Sequence, residues 1–126
     1  MRIYRIKNKY IYRKAEEDKH RYSPDGYHDY IGFYSKKDKG WELIGLTHVL
    51  DKKRQRQIEN SEIKMMTFKA YRTKKGIDIP SGVKKDLIKK DINGKKIKNM
   101  KSIKASKIKD GVLSKEQAII VSKFVK

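Results

Sequence analysis

The 126-residue chain contains no cysteine. That excludes disulfides, thiolate zinc sites and cysteine nucleophiles. It also lacks any apolar run near the roughly 18–20 residues a membrane-spanning helix needs. The opening residues, Met1-Arg2-Ile3-Tyr4-Arg5-Ile6-Lys7, hold no uninterrupted apolar segment, so no secretory signal is expected there. No P-loop, dinucleotide-binding glycine pattern, zinc-protease motif or paired-cysteine motif occurs, which leaves nucleotide hydrolysis and zinc chemistry unsupported. Acidic side chains are scarce as well, 15 against 34 Lys plus Arg. The acidic triplet Glu16-Glu17-Asp18 reads as a solvated loop, so neither a metal nor another cofactor is expected. These absences leave a cytoplasmic protein with one domain spanning residues 1–126 as the expectation, and no membrane partner.

What the chain has in excess is positive charge. A formal net charge of +19 repels itself unless a polyanion is near, and nucleic acid is the commonest such partner. An anionic membrane surface or an acidic protein comes next, and a lysine-rich compositional habit is the plain alternative. The charge is uneven. Residues 1–63 carry 15 basic and 10 acidic side chains, whereas residues 64–126 carry 19 and 5.

Only 37% of residues are apolar, but Ile, Tyr, Leu, Val and Phe fall in short runs that suit strands. Residues 2–13 alternate with period two and predict a strand or two short ones. Ser23-Pro24-Asp25-Gly26 is a turn signal inside a polar loop over 14–27. Tyr30–Tyr34 and Trp41–Val49, joined across Ser35–Gly40, predict a hairpin, with Gly32 and Gly45 marking bulges or close backbone approach. Asp51–Asn60 reads as a short helix or exposed loop, and Ile63–Tyr71 as a strand ended by Lys74-Lys75-Gly76. Ile77–Val83 predicts a short edge segment and a turn, and Asp86–Ile92 a strand or a helical turn. Asn93-Gly94 is a turn signal, and Lys96–Ile108 suits an exposed strand. At the C-terminus Ser114 and Gln117 match a capping box. Ala118, Ile120, Val121, Phe124 and Val125 then form the apolar side of a helix docked on the sheet.

Metal-free cleavage of RNA needs a base for the 2′-hydroxyl, donors for the charge on phosphorus and an acid for the leaving 5′-oxygen. Thr47 and His48 end the hairpin's return strand, and His28 opens its first strand, so pairing brings all three to one end. These are the candidate catalytic residues; an ordinary half-exposed polar pair is the competing reading. His20 lies in a charged loop and is expected to be exposed. Eight tyrosines (Tyr4, Tyr10, Tyr12, Tyr22, Tyr27, Tyr30, Tyr34 and Tyr71) offer stacking surfaces for unpaired bases, or simply suit half-buried strands. Arg21, Tyr22, Lys36, Lys52, Arg54, Arg72, Lys84 and Lys85 are the candidate RNA contacts. The lysines from Lys84 to Lys109 read either as a phosphate-tracking face or as a solvated one.

The order of these pieces resembles the MazF/PemK family of toxin ribonucleases, and also the related barrel toxins neutralised by RNA. The similar segments are Tyr30-Ile31-Gly32-Phe33-Tyr34-Ser35, the strand from Trp41 to Thr47-His48, Ile79-Pro80-Ser81-Gly82-Val83, Ser102 to Ile108, and Leu113-Ser114-Lys115-Glu116. Together they span roughly residues 28–124. The resemblance implies a mainly β fold, a small SH3-like antiparallel barrel with a C-terminal helix. It further implies metal-independent cleavage of single-stranded RNA to a 2′,3′-cyclic phosphate, a homodimer in many members, and an antitoxin that is an acidic protein or an RNA. Thr47 falls on the family's active-site threonine. The family usually carries a basic residue just ahead of the first hairpin strand, where this chain has Asp29. Either His28 substitutes as the charged acid or base, or the activity is absent. Two other functions stay open: a non-catalytic nucleic-acid-binding protein of a plasmid or phage, and an inhibitor or adaptor that binds an acidic protein surface.

Overall fold

Period-two placement of Ile3 and Arg5 against Tyr4 and Ile6 gives the first strand, β1 (Arg2–Lys7), in the computed structural model, which describes residues 1–11, 23–48 and 61–125. A single 3-10 turn over Asn8–Tyr10 ends it. The Ser23–Gly26 turn closes with Gly26 N–H donating to Ser23 O at 3.0 Å, as the Pro-Asp-Gly signal predicts. The hairpin forms as expected from β2 (Tyr27–Ser35) and β3 (Gly40–His48), with Ser35 opposite Gly40 at the turn. β4 (Ile63–Arg72), β5 (Asp78–Ile88) and β6 (Ser106–Val112) complete the strands. All pairings are antiparallel, in the order β4-β5-β3-β2-β1-β6. The sheet curls into a half-barrel whose edges, β4 and β6, approach each other. The molecule is therefore mainly β with one C-terminal helix, α1 (Lys115–Phe124).

Neighbouring residues of the central strands are sorted into two cores on opposite faces of the sheet. Ile3, Ile31, Ile44, Leu46, Phe68 and Val83 pack with Leu113 and with Val121 of α1. Tyr4, Ile6, Tyr30 and Leu43 pack with Ile11, Ile97 and Ile103. Each fully buried side chain of this size contributes about 1.5–3 kcal/mol of apolar transfer energy, which lets an otherwise polar chain hold a sheet. Gly32 is required by close approach: a Cβ there would lie 2.8 Å from the Tyr4 ring. Gly45 sits where the β3–β5 register shifts.

Three expectations are corrected. Ile77–Val83 is not an edge segment with a turn. It is the first part of an eleven-residue strand between β4 and β3. Among the described residues pairing with β3 runs as far as Ser81, and Pro80, which has no N–H to donate, pairs with Thr67 of β4. Lys96–Ile108 is not an exposed strand either. Its first part wraps the second core, with Ile97 and Ile103 buried and a 3-10 turn at Met100–Ile103, and only Ser106 onward joins the sheet. In α1 the capping box forms as expected, but Ile120 points outward with Ile119 while Val121, Phe124 and Val125 face the core. Gln117 accepts from Ser114 N–H and also donates to Thr67 O at 2.7 Å, tying the helix to β4. Asp86–Ile88 resolves as strand, and the Asn93-Gly94 turn closes on Asp91, whose side chain accepts from Asn93 and Lys95 N–H. The expectation for Asp51–Asn60 lies outside the described residues.

Burial of Ile97 is directly testable. Ile97→Ala is expected to lower stability by about 2–4 kcal/mol. The exposed Ile92→Ala is expected to change it by less than about 0.5 kcal/mol. Urea unfolding of the two variants measures the contrast.

Candidate functional site

The hairpin delivers Tyr27-His28-Asp29 from the start of β2 and Leu46-Thr47-His48 from the end of β3 to one end of the sheet. With Arg5 of β1 they line an open cleft of about 450 Å³. The three residues expected from the sequence, His28, Thr47 and His48, are thus brought to one place. Strand alternation divides them, however. His28 and Thr47 project from one face, Asp29 and His48 from the other.

Asp29 organises the second face. Its side chain is 3% exposed and stands directly opposite Arg5 in the β1–β2 register. Arg5 donates Nε to Oδ1 at 2.8 Å and Nη2 to Oδ2 at 3.2 Å. Tyr71 of β4 donates its hydroxyl to Oδ2 at 2.5 Å, and His48 Nε2 lies 3.4 Å from the same oxygen. The His48 and Tyr71 rings meet edge-on, 4.2 Å between centroids. In the sheet order β5 and β3 separate β4 from β2, so Tyr71 reaches Asp29 because the sheet curls.

These contacts set the charge states. Burial is the largest influence on the Asp29 carboxyl and pushes its pKa up. Hydrogen bonds from His48, Arg5 and Tyr71 reverse that and hold it well below the usual carboxylate range. Burial and then the Asp29 bond push the Tyr71 phenol up, so it remains a neutral donor. The Asp29 bond raises Arg5 further.

On the first face, Asn8 fixes His28. Asn8 is buried and donates Nδ2 to Ser23 O at 2.8 Å, which turns its Oδ1 toward His28 Nδ1. An amide oxygen only accepts, so Nδ1 carries the ring hydrogen and Nε2 is the basic nitrogen. The Ser23–Gly26 turn makes this possible, since a Cβ on Gly26 would sit 3.0 Å from Asn8 Nδ2. Thr47 packs its methyl over Gly82, where a Cβ would approach to 3.0 Å.

His48 Nδ1 lies 3.1 Å from Ser81 Oγ. Asp29, His48 and Ser81 follow the order of a hydrolase triad, but Ser81 is 0% exposed and cannot meet a large substrate. It orients His48 instead. Among the described residues, no group of three His, Cys, Asp or Glu side chains is placed to hold a metal.

The other sequence candidates lie apart. Lys36 is in the turn at the far end of the hairpin. Arg72 is engaged by Asp78 at 2.6 Å, and Lys84 and Lys85 are half-buried on β5. Arg21, Tyr22, Lys52, Arg54 and His20 lie outside the described residues. Tyr4 and Tyr30 are core residues, whereas Tyr27 and Tyr34 are 57% and 50% exposed and remain open to a ligand. Lys7 Nζ sits 5.8 Å from the centre of the Tyr27 ring at the cleft rim. The lysines of β6 line a sheet edge, where they also discourage pairing with another chain.

Arg5 and Asn8 were not singled out from the sequence, Tyr71 was named only among the stacking tyrosines, and Ser81 only within the Ile79–Val83 segment. Alternation puts Arg5 on one side of β1, but its partner is defined only by the β1–β2 register. No family model, no curated protein and no solved structure matches the chain.

The depressed Asp29 carboxyl has a pH signature. Its stabilisation is complete above the ordinary carboxylate pKa near 4 and is lost as pH falls below that value toward the lower native one. Asp29→Asn is expected to cost about 2 kcal/mol at neutral pH, less than for a fully buried pair because Arg5 is half exposed. The difference between parent and variant should shrink steadily below pH 4 when unfolding is followed across a pH series.

Proposed function

We propose that the protein is a metal-independent endoribonuclease acting on single-stranded RNA in the cytoplasm. The observation that carries this reading is the fixing of two imidazoles at one cleft, His28 by Asn8 and His48 by Asp29, beside Arg5 in a chain of net charge +19. Tyr27 at the rim provides a surface on which an unpaired base can stack.

In this reading the two imidazoles divide the labour. His28 Nε2 takes the proton of the 2′-hydroxyl, and the 2′-oxygen forms its bond to phosphorus. The bond from phosphorus to the 5′-oxygen breaks, and protonated His48 supplies the proton that oxygen needs. The products are a 2′,3′-cyclic phosphate and a 5′-hydroxyl. Arg5 and Tyr71 already satisfy Asp29 at short range. The long His48 contact is therefore the one that can be exchanged for the leaving oxygen. Arg5 carries more donors than the carboxylate uses, and those left over neutralise the charge on phosphorus. The Thr47 hydroxyl adds a further donor there. Arg5 fills the place of the basic residue that the sequence lacks before β2. A homodimer and a neutralising acidic protein or RNA remain part of this proposal through the family resemblance.

A second reading is favoured by one feature. Arg5 is already paired to Asp29 through two of its nitrogens, which suits a structural cross-strand pair in a non-catalytic nucleic-acid-binding protein. Incubation of the purified protein with a long RNA in EDTA separates the two. The nuclease reading expects cyclic-phosphate ends, with His28→Ala and His48→Ala each losing about 10²–10⁴-fold in rate. Absence of such ends, together with an RNA affinity that falls steeply with salt, establishes the binding protein instead.

A further inference from the structure

Between Asp91 and Asp110 the chain carries seven lysines and no acidic residue. Part of that stretch repeats every three residues, as Ile97-Lys98-Asn99, Met100-Lys101-Ser102 and Ile103-Lys104-Ala105. The first position of each triplet faces the second core, with Ile97 and Ile103 buried and Met100 packed against them. The second position is exposed in all three. Lys107, three residues further on, is exposed too. It stands opposite Tyr4 in the β1–β6 register, so it projects from the face that carries the second core.

The backbone under these lysines is fixed along its length. Trp41 N–H donates to Ile97 O at 2.7 Å. Ser102 N–H donates to Asn99 Oδ1 and its hydroxyl to Asn99 O, each at 2.8 Å. Lys104 N–H donates to Lys101 O at 3.0 Å and Ala105 N–H to Met100 O at 3.1 Å, closing the 3-10 turn. About three residues complete one turn of a 3-10 helix, so a three-residue repeat keeps its apolar positions on one side and its lysines off it.

Among the described residues, none of Lys98, Lys101, Lys104 and Lys107 is in an ion pair. Such a row repels itself unless an anion lies along it. Protection of a sheet edge accounts for a lysine on β6, but Lys98, Lys101 and Lys104 lie outside the strands. A protein partner fits poorly. The residues between the lysines, Asn99, Ser102 and Ala105, offer no large apolar anchor, and lysine is depleted at protein interfaces. A ribose-phosphate backbone needs what the row has, point charges at regular intervals.

We propose that Lys98, Lys101, Lys104 and Lys107 form a rail that tracks the backbone of single-stranded RNA outside the cleft. His28 and Tyr30 share a face of β2, and Tyr30 lies in the second core that the rail segment covers. The rail and His28 are therefore on the same side of the sheet, and a strand held on one is led toward the other. The rail grips phosphates and reads no bases. This deepens the functional reading and rests on RNA being the ligand, but not on its being cut.

A fluorescein-labelled 2′-O-methyl oligouridine tests it, because that RNA lacks the attacking hydroxyl and binding is read without turnover. Anisotropy titrations across a salt series compare the parent with a Lys98→Gln, Lys101→Gln, Lys104→Gln triple variant. A control triple variant, Lys74→Gln, Lys75→Gln and Lys115→Gln, removes the same charge from exposed positions elsewhere. The rail variant is expected to flatten the slope of log affinity against log salt by about 2, at about 0.7 per phosphate contact. The control is expected to flatten it by less than about 0.5, with circular dichroism of both variants that of the parent. Equal losses in the two variants, or a parent that does not bind at low salt, would overturn the proposal. So would an oligoglutamate of the same charge that binds the parent as tightly and depends as much on the rail, which would assign the row to an acidic protein. An inactive protein whose affinity depends on the rail keeps the rail and loses the nuclease. An active one whose rail variant binds like the parent does the reverse.

Discussion

A buried carboxylate must find donors or give up its charge, and Asp29 finds them on three different strands. Arg5 comes from β1, His48 from β3 and Tyr71 from β4, while Asp29 itself is on β2. One side chain therefore ties together elements on both sides of the hairpin. The Tyr71 bond is possible only in a curled sheet, so the same contact that satisfies the carboxylate also fixes the curvature of the cleft. Ser81 of β5 extends the arrangement through His48.

The two faces of the hairpin end use the same device in different chemistry. On one face the Asp29 carboxylate and the Ser81 hydroxyl hold His48. On the other a neutral amide holds His28 and determines which nitrogen is basic. The neutral amide is itself positioned by the Ser23–Gly26 turn, so a surface turn and the His28 tautomer are coupled through Asn8. At the other end of the hairpin, the carboxylates of Asp38 and Glu42 share Lys89.

Much of this was legible in the sequence where the signal is local. The β2–β3 hairpin, the Ser23–Gly26 and Asn93-Gly94 turns and the Ser114–Gln117 capping box depend on residues a few positions apart. Their stereochemistry is fixed by residue type. The convergence of His28 and Thr47-His48 followed from the hairpin alone. Expectations failed where a segment's neighbours, not its own pattern, decided the outcome. Ile97 and Ile103 among lysines look exposed, yet they fill the second core against Tyr4, Ile6, Tyr30 and Leu43 of the sheet. Ile77–Val83 read as an edge segment, yet β5 lies between β4 and β3.

The sequence by itself determined a basic, cysteine-free, mainly β chain with a capped C-terminal helix, and two histidines and a threonine at one end of a hairpin. Composition and short-range pattern carry those facts. Tertiary structure decided which cation meets Asp29, which hydroxyl closes over it and which nitrogen of His28 is basic. Arg5, Tyr71 and Asn8 lie 24, 42 and 20 residues from their partners. Contacts over such distances are set by strand register and sheet curvature, and those come from burying two cores at once on opposite faces of one sheet.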